Sequence, residues 1–225
     1  MEPDQISGVA ALAEPVRRDL YAFVAAAPEP VTRDQAADGV AVPRHTAKFH
    51  LDKLVEEGLL DVDYKRLSGR EGPGAGRPTK RYFRSAREVS VSLPPRRYDL
   101  AGELMASAIE RSAAQGTDVA TELAGVAHEH GAAIGRAATE GLPARPTRAV
   151  RVETASAALA AYGYEPRLVD GALTLVNCPF HALAQEHTDL VCGMNLAMLE
   201  ALVDEVGGLA ARLDPAPGRC CVTVG

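Results

Sequence analysis

The chain has 225 residues, 47% of them hydrophobic and 24% charged, with a net charge of −6. That is enough apolar material for one large or two ordinary globular domains, and it excludes a largely disordered chain. No stretch approaches the roughly 20 uncharged apolar residues of a membrane span, and Met1-Glu2-Pro3-Asp4 lacks the basic start of a signal peptide, so a cytoplasmic protein with no membrane partner is expected. The four cysteines are too few for a disulfide scaffold and read as metal ligands, redox thiols or buried small hydrophobes.

The acidic average hides a segregation of charge. All four lysines lie in the first 90 residues, and residues 64–87 carry eight basic groups against one acid, Glu71, a local charge of +7. From residue 91 onward, ten arginines face sixteen acids. The N-terminal part therefore offers a phosphate-binding surface on a molecule that is acidic elsewhere.

Ile6, Val9, Leu12, Val16, Leu20 and Val24 recur at helical spacing and predict one helix, ended by Pro28-Glu29-Pro30. Thr32 is the expected N-cap of a short second helix, Arg33–Asp38, which Gly39 stops. Pro43 suits the first turn of a third helix ending at Glu57-Gly58. Ala47, Leu51, Leu54 and Val55 form its buried stripe, which leaves Arg44, His45, Lys48, Asp52 and Lys53 on the other faces. Leu59–Leu67 and Thr79–Arg84 read as the strands of a hairpin around a tip rich in glycine and proline.

Three helices and a basic hairpin are the outline of a winged helix-turn-helix, in which one helix enters the major groove of DNA and the wing neutralises backbone phosphates. Arg44, His45, Thr46, Lys48, Phe49 and Lys53 are then candidate base or phosphate contacts. Phe49 and its neighbour His50 are also readable as packing groups. Arg66, Arg70, Arg77, Lys80 and Arg81 are candidate phosphate contacts. A three-helix bundle with a surface hairpin and no DNA partner is the less specific alternative.

The stretch VPRHTAKFHLDKLVEEGLL, residues 42–60, resembles the recognition helix of ArsR-like and DeoR-like bacterial winged-helix regulators. Phe49-His50-Leu51 stands at their aromatic-His-Leu triplet, and Glu57-Gly58-Leu59 falls in their closing Glu-x-Gly-Leu. The segment RLSGREGPGAGRPTKRYF, residues 66–83, is similar to their wing.

Pro94-Pro95 closes the first region. Two alanine-rich helices follow, Tyr98–Gly116 and Asp118–Glu140, with Leu100, Leu104, Ala108 and Ile109 along one stripe. Because half-sites are usually read in pairs, a homodimer formed through these helices is expected. The small-residue run Gly131-Ala132-Ala133-Ile134-Gly135 would permit close contact there, and packing within the chain is the alternative. His128 and His130 point in divergent directions on a helix and do not form a metal site.

Gly141 to Pro146 divides the remainder, so the expected organisation is a DNA-binding domain at 1–90, a helical dimerisation or linker region at 96–140 and a sensor domain at 145–225. The overall class is α+β. In the last region, a helix from about Val152 to Tyr162 precedes a hairpin, Glu165–Val169 with Ala172–Val176, turning at Asp170-Gly171. A second hairpin pairs Leu209–Leu213 with Cys220–Val224.

All four cysteines, Cys178, Cys192, Cys220 and Cys221, lie in the last 48 residues, and their regions converge if the hairpins share a sheet. Thiolates suit zinc or iron–sulfur clusters, and His181 and His187 offer nitrogen donors near Cys178. Adjacent residues of a strand point to opposite faces, so only one of Cys220 and Cys221 is expected at a common site. An organic-ligand pocket with inert cysteines and a thiol redox switch are the competing readings. No Gly-rich phosphate loop, nucleophile elbow or carboxylate pair supports an enzyme.

The spacing C-x13-C-x27-C behind a winged helix and a helical linker resembles the C-x12-C-x27-C arrangement of SufR-type iron–sulfur-sensing repressors. The resemblance implies that Cys178, Cys192 and Cys220 hold an iron–sulfur cluster, with a fourth ligand from His181, Cys221, His187 or elsewhere, and that the loaded protein represses. Zinc is the alternative occupant. The expected protein is a dimeric regulator bound to a double-stranded operator, its two recognition helices respaced by the state of the cofactor.

Overall fold

The computed structural model describes residues 3–66 and 78–225; the wing residues Arg70 and Arg77 lie outside them. The fold is α+β and divides into two compact units, one ending at Val91 and one running Ser92–Gly225. Among the described residues no helix is long and apolar enough to cross a membrane.

The first unit contains α1 (Pro3–Ala11), α2 (Pro15–Ala26), β1 (Val31–Thr32), α3 (Arg33–Gly39), α4 (Arg44–Glu56), β2 (Leu60–Lys65) and β3 (Thr79–Arg84). The single first helix expected from the apolar spacing is two helices. Proline disfavours helical backbone in the residue before it and lacks the N–H an interior position needs, so it belongs at a helix start. Pro15 takes that place, and the Glu14 carboxylate caps α2 by accepting from the Val16 and Arg17 N–H groups at 3.2 and 2.6 Å. Leu20 and Val24 on α2 enter the core, whereas Ile6 and Val9 on α1 remain exposed.

Thr32 and Gln35 form a reciprocal capping box at the start of α3. The helix ends at Gly39, where a Cβ would collide with the Phe23 ring. Pro43 is the N-cap of α4, and Ala47, Leu51 and Leu54 bury its inner stripe while Val55 is half-buried. The predicted hairpin forms with Leu60 opposite Arg84 and Lys65 opposite Thr79. A third strand joins it: β1 pairs antiparallel with β3, giving the order β1-β3-β2.

The second unit contains α5 (Tyr98–Gln115), α6 (Val119–Thr139), α7 (Arg148–Ala161), β4 (Pro166–Val169), β5 (Ala172–Leu175), α8 (His181–Glu186), α9 (Thr188–Val206), β6 (Ala211–Leu213) and β7 (Val222–Val224). Thr147 caps α7 through the Val150 N–H, so that helix starts ahead of Val152. The helical region expected at 96–140 does not stand apart from the cysteine-bearing region. One core runs from Leu100 and Leu104 through Met198 and Leu202 to Val222 and Val224. Ile109, expected on the buried stripe of α5, is exposed. The two hairpins share one antiparallel sheet of order β4-β5-β7-β6, joined through β5 and β7.

Gly131 and Gly135 on α6 face α9 of the same chain. A Cβ at Gly131 would collide with the Met198 carbonyl, and one at Gly135 with the Leu202 carbonyl. The two glycines of the small-residue run are therefore occupied within the chain, while Ala133 is exposed. Gly131→Ala should destabilise the second unit by about 1–3 kcal/mol or more, because backbone rather than a mobile side chain must move. Gly125→Ala, whose Cβ meets nothing, should be neutral or stabilising on helix propensity alone. Urea denaturation of both variants checks this pair of outcomes, and equal behaviour would contradict the close packing.

Candidate functional site

Two groups of residues concentrate chemistry, one in each unit. The first is the outward side of α4 with the adjoining wing strand. Arg44, in the first turn, is held in a fork by the Asp34 carboxylate, Nε to Oδ1 at 2.7 Å with Nη2 on Oδ2. Asp34 is accordingly held below the usual carboxylate range, with the Arg44 hydrogen bond as the main cause. His45 and Lys48 are exposed, and Thr46 is half-buried. Lys53 pairs with Glu57 at 2.9 Å and Glu56 at 3.2 Å. Arg66, just beyond β2, is exposed.

Asp52 ties this helix to the wing. Its Oδ1 accepts from Lys80 Nζ at 2.7 Å and from the buried Tyr82 hydroxyl at 3.1 Å, and its Oδ2 accepts from Lys48 Nζ at 2.9 Å. Partial burial opposes ionisation of Asp52, but the hydrogen bonds from Lys80, Lys48 and Tyr82 outweigh it and hold the carboxyl below its ordinary value. Burial, with Asp52 alongside, pushes the Tyr82 hydroxyl up. On the opposite side of the helix, His50 is a packing residue. Its Nδ1 accepts from Arg17 Nε at 3.4 Å and lies 3.5 Å from Glu14 Oε2, fixing α4 against the start of α2.

Arg81, expected to meet phosphate, is placed otherwise. Its side chain is only 13% exposed and pairs across the hairpin with Asp63, Nε to Oδ1 at 2.9 Å. Arg44, Lys48, Lys53, Lys80 and Arg81 thus each have a carboxylate partner in the protein, which a count of positive charge does not reveal.

The second group is the thiol cluster. Cys178 follows β5 in a turn fixed by Arg96, which donates to its carbonyl at 3.0 Å, and by Asn177, whose Nδ2 donates to the Pro95 and Gly163 carbonyls at 2.9 and 2.6 Å. Cys192 lies in the early turns of α9, and Cys220 is held beside β5 by its N–H on the Leu175 carbonyl at 2.8 Å. Cys178, Cys192 and Cys220 are buried and Cys221 is half-buried.

Both members of the vicinal pair reach the cluster, because β7 begins only at Val222 and the alternation of a strand does not apply to Cys220-Cys221. The Cys220 thiol is pushed down to about 3, chiefly by the Cys178 and Cys221 thiols against it, with further support from Asn195 Nδ2 at 3.3 Å. The Cys178 and Cys221 thiols are pushed up by the same contacts with Cys220 and by burial, and Cys192 adjoins Cys221.

Asn195, 1% exposed on α9, is itself fixed by the Tyr164 hydroxyl, which donates to its Oδ1. Neither residue was legible as part of the site, although an asparagine inside the apolar run of α9 is the signal that points to it. His181 and His187 are not brought to the cluster. Both are exposed at the two ends of α8, a short helix that the sequence reading missed. His130 stacks edge-on against Tyr162, and Glu129 forms a bidentate pair with Arg111 at 2.7 and 2.6 Å.

Sulfur-only donors buried in one place fit thiophilic metal chemistry. Their placement is a chain of thiol contacts, and among the described residues no group of three or more His, Cys, Asp or Glu side chains is arranged to hold a metal ion. Ligation would require the thiols to exchange one another for the metal.

Residues 12–63 match the family model described as a helix-turn-helix domain, a span running from the end of α1 into β2. No curated protein and no solved structure matches the chain. The first unit therefore carries a helix-turn-helix domain with a wing hairpin, whose expected role is DNA binding in transcription regulation.

The Asp52 geometry predicts a pH signature. A carboxylate whose folded value is depressed adds stability that is fully present above its ordinary value of 3.8 and is lost as pH falls through the folded value. Asp52→Asn should cost about 1–2 kcal/mol at neutral pH. The gap to the unaltered protein should close below pH 3.8. Denaturant titration of the first unit's unfolding at several pH values reads this, and a gap independent of pH would contradict the network.

Proposed function

We propose that this chain is a transcription repressor that binds an operator duplex as a homodimer and whose DNA affinity is set by a metal or iron–sulfur group held on the thiol cluster. The observation that carries the DNA-binding part is the outward side of α4, which lies inside the matched helix-turn-helix segment and carries His45, Lys48 and Phe49, tied through Asp52 to Lys80 on the wing strand β3. Two copies suit the pairing of half-sites one helical turn apart.

The paired cations give the encounter a particular form. Lys48 and Lys80 share the Asp52 carboxylate, so contact with a backbone phosphate exchanges or shares that partner. The net number of counterions released from DNA should then fall below the number of cations at the interface.

In the second unit, Cys178, Cys192, Cys220 and Cys221 would hold the group, with Asn195 and Tyr164 orienting Cys220. An iron–sulfur cluster supplies an oxidation-sensitive charge, and zinc supplies a crosslink between α9, the turn after β5 and the start of β7. Such a group changes operator affinity only to the extent that it favours one conformation of the protein.

Duplexes selected from a random pool provide the operator. Lys48→Ala with Lys80→Ala should weaken binding to all sequences and lower the slope of log affinity against log salt by about 1–2; an unaltered slope would contradict the interface. For the cofactor, iron, sulfide and zinc are assayed in protein purified without oxygen. Stoichiometric content should be lost in Cys192→Ser. Unchanged content in that variant removes Cys192 from the site, and a wild-type protein with none of the three overturns the cofactor reading.

A further inference from the structure

Phe49 is 64% exposed on the outward side of the recognition helix, and among the described residues neither core cluster includes it. The ring is nevertheless set in direction. It meets His50 edge to face, centroids 5.2 Å apart, and His50 is pinned by Arg17 and Glu14. Phe49 shares one side of α4 with His45, Lys48, Asp52, Lys53 and Glu56.

We infer that Phe49 is a specificity-determining residue that reads a thymine in the major groove through the C5-methyl group. The inference rests on the DNA-binding reading above and adds the base it recognises. In the major groove thymine alone presents an apolar group; the other base edges offer donors and acceptors. A phenyl ring satisfies none of those donors and acceptors, and covering them leaves them without partners. Against a methyl group the ring gains contact and strips no polar atom of water.

The position suits that role. Phe49 lies one turn beyond His45 on the same side of α4, next to Lys48, and within the part of the helix that follows its N-terminus. Around the ring Lys48 and Lys53 are matched by Asp52 and Glu56, so the choice of DNA over a partner protein rests on the helix-turn-helix match that spans this helix.

Replacing thymine by deoxyuridine removes that methyl group and changes nothing else at the base edge. In the selected duplex, each thymine is replaced in turn and binding is measured with wild type, Phe49→Ala and Phe49→Leu. At one thymine per half-site, deoxyuridine should weaken wild-type binding roughly fourfold, the effect of one buried methyl group. Phe49→Ala should bind the two duplexes equally, and Phe49→Leu should keep a reduced preference. Insensitivity of the wild type at every thymine overturns the inference while leaving DNA binding intact. So does Phe49→Ala with undiminished preference for thymine, which would place the methyl contact on another residue. Failure of the wild type to bind any duplex overturns the DNA-binding reading and this inference together.

Discussion

The Asp52 carboxylate is the constraint on which the first unit's function depends. It accepts from a lysine on its own helix and from a lysine and a tyrosine on β3, so the recognition helix and the wing are held as one body. A helix that enters the major groove and a strand that follows the backbone must keep a fixed separation to engage together. One ionised oxygen pair, partly buried and fully engaged, adds to that restraint beside the apolar core that Leu51 and Leu54 share with Leu60 and Tyr82. The same group keeps Lys48 and Lys80 in place before DNA arrives, limiting the side-chain freedom lost on binding.

In the second unit the corresponding hub is α9. Gly131 and Gly135 let α6 approach the Met198 and Leu202 carbonyls, which fixes the helix. From that helix Cys192 and Asn195 reach toward the two other segments that carry thiols. The buried Tyr164–Asn195–Cys220 relay leaves no polar atom of Asn195 unused, since its oxygen accepts and its nitrogen donates. A polar network inside an apolar core is costly unless every member is satisfied, and here it orients the Cys220 thiol.

Local chemistry was the legible part of the fold. The Thr32 cap, the Asp170-Gly171 turn and the pairing within each C-terminal hairpin depend on neighbours in sequence; the cap and the turn form as read, and both hairpins form with shorter strands. What was missed depended on tertiary partners or on very short elements. β1 has two residues and carries no periodicity. The apolar spacing continues from Leu12 to Val16 and masks the break that Pro15 imposes. The glycines of α6 announced a close approach but not which helix makes it. At the interface, sequence located the basic surface and Asp52 on it but not the pairing of its cations with carboxylates, so Arg81 was expected at phosphate when it pairs with Asp63. The clustering of cysteines was legible. The reach of Cys221 was not, because it turns on β7 starting at Val222, two residues later than expected.

The most direct test of gating is the operator affinity of a single preparation, purified without oxygen, measured before and after removal of whatever metal the proposed thiol site holds. Coupling between the thiol cluster and the recognition helices predicts affinities that differ at least about fivefold, the lower end of ordinary allosteric coupling. Equal affinities with and without the metal would contradict it and leave a DNA-binding protein whose cysteines serve another purpose.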